Sequence, residues 1–210
     1  ASDVGNLTRS LHNPNPASSA THGYCAGGDG AGGSRVIDKI SFTTDGNATT
    51  NANLSTDNPA GAGHSSPTHG FATIGHYIEK YSFAADTDGT DIGSLQTARS
   101  ITNTGFTGHS STDYGFVSGG EPFGTYGSLK DRFPFASGGT AVDWGDLSVP
   151  RSHPAGSSSL THAYTSGGQG SGGNISYLNV MDKFPYASNV TSTDIGDLAV
   201  QLGYTCGQHD

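Results

Sequence analysis

One pattern recurs four times along this chain and governs what it can fold into: Ser-Ser-x-Thr-His-Gly-Tyr-x-x-Gly-Gly, then an acid, a base and two alternate aromatics. The first copy runs through Ser18, Ser19, Thr21, His22, Gly23, Tyr24, Gly27 and Gly28 to Asp38, Lys39, Ile40 and Phe42. The second keeps Ser65, Ser66, Thr68, His69, Gly70 and Phe71, followed by Glu79, Lys80, Tyr81 and Phe83. The third puts Tyr114 in place of histidine, between Ser110, Ser111 and Asp113 on one side and Gly115, Phe116, Gly119 and Gly120 on the other; Asp131, Arg132, Phe133 and Phe135 follow. The fourth has Ser157 to Ser159, Thr161, His162, Ala163, Tyr164, Gly167 and Gly168, then Asp182, Lys183, Phe184 and Tyr186. The basic residues at 39, 80, 132 and 183 lie 41, 52 and 51 residues apart, a mean period of 48.

Each copy reads as short strands. His22 and Tyr24 share one strand face, as do His69 with Phe71 and His162 with Tyr164. The glycine pair ends that strand. In the next segment Ile37, Lys39 and Ser41 face one way and Asp38, Ile40 and Phe42 the other, the period of a half-buried strand. A polar turn such as Thr44-Asp45-Gly46 leads to a weaker strand, seen at 91–95, 143–147 and 194–198, and a further strand precedes each Ser-Ser turn. Four strands in a period of 48 make one propeller blade. The sequence therefore predicts an all-β, four-bladed β-propeller forming a single domain over 1–210, with repeats at 1–46, 47–89, 90–139 and 140–190 and a closing segment at 191–210. Both ends carry surplus pattern: 3–7 matches 194–198, and 198–210 aligns without a gap to 147–159. These strands either close the ring or pair with a neighbouring subunit, since a bare edge invites aggregation.

In the Gly-Gly pair that closes the second strand and the aromatics that mark the third, the chain resembles kelch-type repeats, which implies a propeller. It departs from that family in having Trp144 as its only tryptophan, and in having four blades where six or seven are usual. The wording of the repeat is also similar to repeat proteins of tailed-phage virions and tail fibres. That second resemblance implies display on a virion and attachment to a host.

Composition excludes several classes. Net charge is −9 with nine Lys and Arg and no basic stripe, which argues against nucleic acid because phosphate contacts supply most of that binding energy. No run of 18 apolar residues exists, so no membrane insertion is expected. The chain opens at Ala1 with neither a basic n-region nor an apolar h-region, as in a mature chain or a fragment. Abundant Ser, Thr and Asn with little Lys suits a virion surface or an extracellular location, and Asn6, Asn47, Asn53, Asn174 and Asn189 begin glycosylation sequons. The two cysteines, Cys25 and Cys206, are expected to form a disulfide that clasps the ring, the alternatives being free thiols or a bond to another subunit.

No catalytic motif appears, so the sequence predicts no enzyme, no cofactor and no metal. The equivalent His22, His69 and His162 read as packing residues rather than metal ligands, and Asp86, Asp88 and Asp91 as a polar turn rather than a calcium loop. The variable loops at 29–34, 121–128 and 169–176 carry more information. In a propeller they share a face with the connections between blades. Phe123, Tyr126 and Tyr177 could stack on sugar rings there, while Arg99 and Arg151 fix hydroxyls. The expectation is a non-catalytic recognition module, a phage virion or tail-fibre component that binds a host-surface glycan. Its alternatives are a structural subunit touching neighbouring virion subunits or forming a homo-oligomer, and a secreted lectin.

Overall fold

The computed structural model describes residues 3–30, 34–100, 105–122, 125–170, 176–204 and 207, and among them there is no α-helix. The repeats become four antiparallel meanders. The first sheet orders β2 (Asn15–Ser18), β3 (His22–Ala26), β5 (Val36–Ser41) and β6 (Thr49–Asn53), with the short pair β1 (Leu11–His12) and β4 (Asp29–Gly30) beside it. The second comprises β7 (Ala62–Ser65), β8 (His69–Ile74), β9 (Tyr77–Ser82) and β10 (Thr90–Ser94), and the third β11 (Phe106–Ser110), β12 (Tyr114–Gly119), β13 (Leu129–Pro134) and β14 (Val142–Asp146). The fourth has β15 (Ala155–Ser158), β16 (His162–Ser166), β18 (Ser176–Pro185) and β19 (Thr193–Leu202), plus the short β17 (Gln169–Gly170). These sheets fit the blades of a β-propeller.

The repeated residues explain the register. In every sheet the aromatic of the second strand stands opposite the base of the third: Tyr24 and Lys39, Phe71 and Lys80, Phe116 and Arg132, Tyr164 and Lys183. Each Ser-Ser turn closes the same way, the second serine's Oγ accepting from the backbone N of His22, His69, Tyr114 or His162 at 3.0–3.1 Å. The glycine pairs have φ of 68° and 93°, 72° and 98°, and 64° and 103°, consecutive left-handed residues that side chains resist. The second repeat escapes this requirement with a two-residue turn between Ile74 and Tyr77.

Sheets join through one aromatic trio per joint. Tyr24 packs on Tyr81 and stacks on Phe83 at 4.6 Å, Phe71 meets Phe133 and stacks on Phe135 at 4.3 Å, and Phe116 meets Phe184 and stacks on Tyr186 at 4.8 Å. The inner edge is stitched as well: Ser18 N donates to Ser65 Oγ, Ser65 N to Ser110 Oγ and Ser110 N to Ser158 Oγ. Buried His64 and His109 link the same strands, Nδ1 lying 3.1 Å from His109 O and 3.3 Å from Ser157 O respectively.

The terminal segments belong to flanking repeats. Gly46 N and Ala48 N donate to Val4 O and Asn6 O, as Gly139 N and Ala141 N donate to Ile92 O and Ser94 O at the joint between the second and third sheets. Gly207 lies against Gly156 as Gly156 lies against Gly108. Among the described residues no hydrogen bond joins the fourth sheet to the first. Tyr164, unlike its buried counterparts Tyr24, Phe71 and Phe116, is only half-buried because among the described residues no further sheet covers it, and Phe42 on the opposite flank is 60% exposed.

The expected disulfide is not formed at Cys25, a free, half-buried thiol on β3 that burial pushes to higher pKa; Cys206 lies outside the described residues. Its neighbour Gly207 lies against Gly156 of β15 in the fourth sheet.

Lys130 is buried in the third joint, donating from Nζ to Val190 O at 2.8 Å and Ser192 Oγ at 3.0 Å, with Nζ 4.1 Å from the Phe184 ring centroid. Burial pulls its pKa down from 10.5 to about 8, against the opposing pull of Asp182, Asp146 and Asp143. Between those values the unfolded chain holds a proton that the folded chain lacks, so the contribution of Lys130 to stability rises with pH. Denaturant melts of Lys130→Met and the parent should therefore shift in the parent's favour from pH 7 to pH 10. A constant difference would contradict the assignment.

Candidate functional site

The loops after the second strands and the connections between sheets meet on one face. Leu11 and His12 pair with Gly30 and Asp29, Ser152 bridges Gln169, Ser100 N donates to Glu121 O, and Gly120 N donates to Arg151 O. The exposed His12–Asp29 contact at 3.7 Å contributes little in water.

Arg99 and Arg151, expected to present their guanidinium groups on this face, are instead buried beneath it. Arg99 Nη1 donates to Asp131 Oδ2 at 2.5 Å and Nε to Gly119 O; Arg151 Nη2 donates to Asp182 Oδ2 at 2.8 Å and Nη1 to Gly167 O and Val180 O. Arg9 does the same with Asp38, Gly27 O and Val36 O. The physical reason is shared: each third strand buries a carboxylate, and the bends beside it leave carbonyls that need donors. Desolvation raises the pKa of Asp131, which Arg99 partly offsets, and lowers that of Arg151. The second sheet lacks the clamp. Its longer Glu79 reaches the backbone N of Ser55 and Thr56, and buried Asn58 stands where the arginine would be.

What remains on the face is aromatic. Tyr177 is 40% exposed, with its ring against Gly203, and Tyr204 is 66% exposed, its ring 4.2 Å from that of His153. Tyr204 and His153 occupy equivalent repeat positions with Asn13, and all three adopt left-handed backbone, φ 57°, 52° and 54°. Gln169 pairs with Tyr177 across β17 and β18. Burial lowers the pKa of His153 and nearby Glu121 raises it less, which favours the neutral ring. Tyr126 is half-buried in the neighbouring loop, where Gly127 N donates to Gly120 O. Phe123 lies outside the described residues.

The sequence pattern singled out Tyr177 but not Tyr204, His153 or Gln169, which lie on the same face. The available signal was the gapless match of 198–210 to 147–159, which places Tyr204 on His153's position. The three histidines lie on separate sheets, each Nδ1 2.8 Å from the preceding threonine's Oγ1. The acidic turn is also occupied: Asp86 meets Lys39, Asp88 accepts from Asn53 N, and Asp91 accepts from Gly93 N.

No family model matches the chain, and no curated protein matches it. Among solved structures it is similar to that of YjhT, at 10% identity and a TM-score of 0.73, over 94% of this chain and 69% of that one. At that identity the likeness is one of fold, and it supports placing the four antiparallel sheets in a β-propeller architecture.

Proposed function

We propose that this chain is a non-catalytic recognition module whose loop face binds a host-surface glycan, on the surface of a phage virion or tail fibre. The four sheets serve as four kelch-like blades, and the terminal segments, each part of a further repeat, are the elements available to close the ring. The observation that carries the reading is the pair of exposed rings Tyr177 and Tyr204, with half-buried His153 beside Tyr204, on the one face where the repeats differ. Aromatic faces bind the C–H side of sugars, while His153, Gln169 and Glu121 supply donors and acceptors around them. A glycan array tests this. The parent should retain a defined glycan, and Tyr177→Ala and Tyr204→Ala should each weaken retention about tenfold, the loss of one good stacking contact, with unchanged melting. Retention that survives both changes, or no retention at all, contradicts it. A second reading, a structural subunit that takes neighbouring copies, is favoured by the open flanks at Tyr164 and Phe42; mass in solution separates the two.

A further inference from the structure

Three departures from the repeat converge at one place. Tyr114 stands where the other copies have His22, His69 and His162; Arg132 stands where they have Lys39, Lys80 and Lys183; Trp144 replaces Ile92 and Ile195. In the third sheet these residues meet, the Arg132 guanidinium carbon lying over both rings, 4.4 Å from the Tyr114 ring centroid and 3.5 Å from that of Trp144. The lysines at this position do less, with Lys80 5.8 Å from Phe71 and Lys183 5.9 Å from Tyr164. Of the five arginines, Arg9, Arg35, Arg99 and Arg151 all donate to carbonyls or carboxylates. Arg132, half-buried, is held by rings alone: among the described residues none accepts a hydrogen bond from it and no carboxylate pairs with it. Trp144, 8% exposed, also keeps its indole Nε1–H buried without an acceptor.

A guanidinium held over two rings and bonded to no acceptor keeps its edge free, a rigid row of N–H donors that matches the two coplanar oxygens of a carboxylate. Contact with the two rings restrains that plane, so a bidentate acceptor meets a preset fork. We infer that Arg132, clamped by Tyr114 and Trp144, is a carboxylate-binding site that takes the acidic group of a uronic-acid saccharide. Only the saccharide part of this inference rests on the glycan-binding reading. The site lies in the joint between the third and fourth sheets and uses none of the loop-face aromatics.

The sole tryptophan is part of the clamp, so its emission reports occupancy. The full chain is titrated with sodium glucuronate, its methyl ester, glucose and sodium acetate at constant ionic strength. Glucuronate should give a saturable change in Trp144 emission that the ester and glucose do not reproduce. Arg132→Lys keeps the charge but loses the fork, and should weaken the response about tenfold or more. Tyr177→Ala should leave it unchanged, which separates failure here from failure of the loop-face site. No saturable change with glucuronate, an equal response to the ester, or full retention in Arg132→Lys overturns the site. A response to acetate as strong as to glucuronate overturns its assignment to a saccharide.

Discussion

Arg151→Met should destabilise the chain by about 3–5 kcal/mol, the cost of stranding a buried charge. Arg151 and Asp182 are both fully buried and 2.8 Å apart, and the guanidinium also satisfies Gly167 O and Val180 O at the bend between β16 and β18. Asp182 would keep Ser148 N and Oγ as donors but lose the cation bonded to it. Removing the charge as well, in Arg151→Met with Asp182→Leu, should recover a large part of the loss. Urea melts check both variants, and a single substitution that costs less than 1 kcal/mol would show that the clamp is solvated in solution.

Phe116→Ala should cost about 3–5 kcal/mol, as lost transfer energy plus an unfilled cavity. The ring is fully buried, stacked on Tyr186 at 4.8 Å and packed edge-on to Trp144 at 6.2 Å. Tyr164 is its repeat counterpart on a flank that no sheet among the described residues covers, so Tyr164→Ala should cost less than about 1 kcal/mol by the same measurement. Equal losses at the two positions would mean that the flank of the fourth sheet is covered in solution.

The framework was legible because its constraints are local. Alternation put His22 with Tyr24 and Ile37 with Lys39 on their strand faces, and glycine pairs and Ser-Ser turns marked the strand ends, a framework in which Tyr24 comes to stand opposite Lys39. The inward turn of Arg99 and Arg151 was not, since an arginine in a polar connection reads as exposed until the buried carbonyls and carboxylate that need it are in place. A trace of it does exist in the sequence: the connections with Arg9, Arg99 and Arg151 precede third strands bearing Asp38, Asp131 and Asp182, whereas the one with Asn58 precedes Glu79. His64 and His109 escaped notice for a similar reason, as their bonds run to a neighbouring sheet's backbone. On the loop face the aromatics were readable as candidates, but the contact of Tyr204 with His153 depends on a segment from the next repeat folding back.

The most direct test of a repeated framework bearing a recognition face is backbone amide exchange with and without the glycan retained on the array. The account predicts protection on binding in the described parts of the loop face, around Gln169, Tyr177 and Gly203–Tyr204, with unchanged exchange at the Ser-Ser turns around His22, His69 and His162. Protection confined to those turns, or none at saturating glycan, would contradict it.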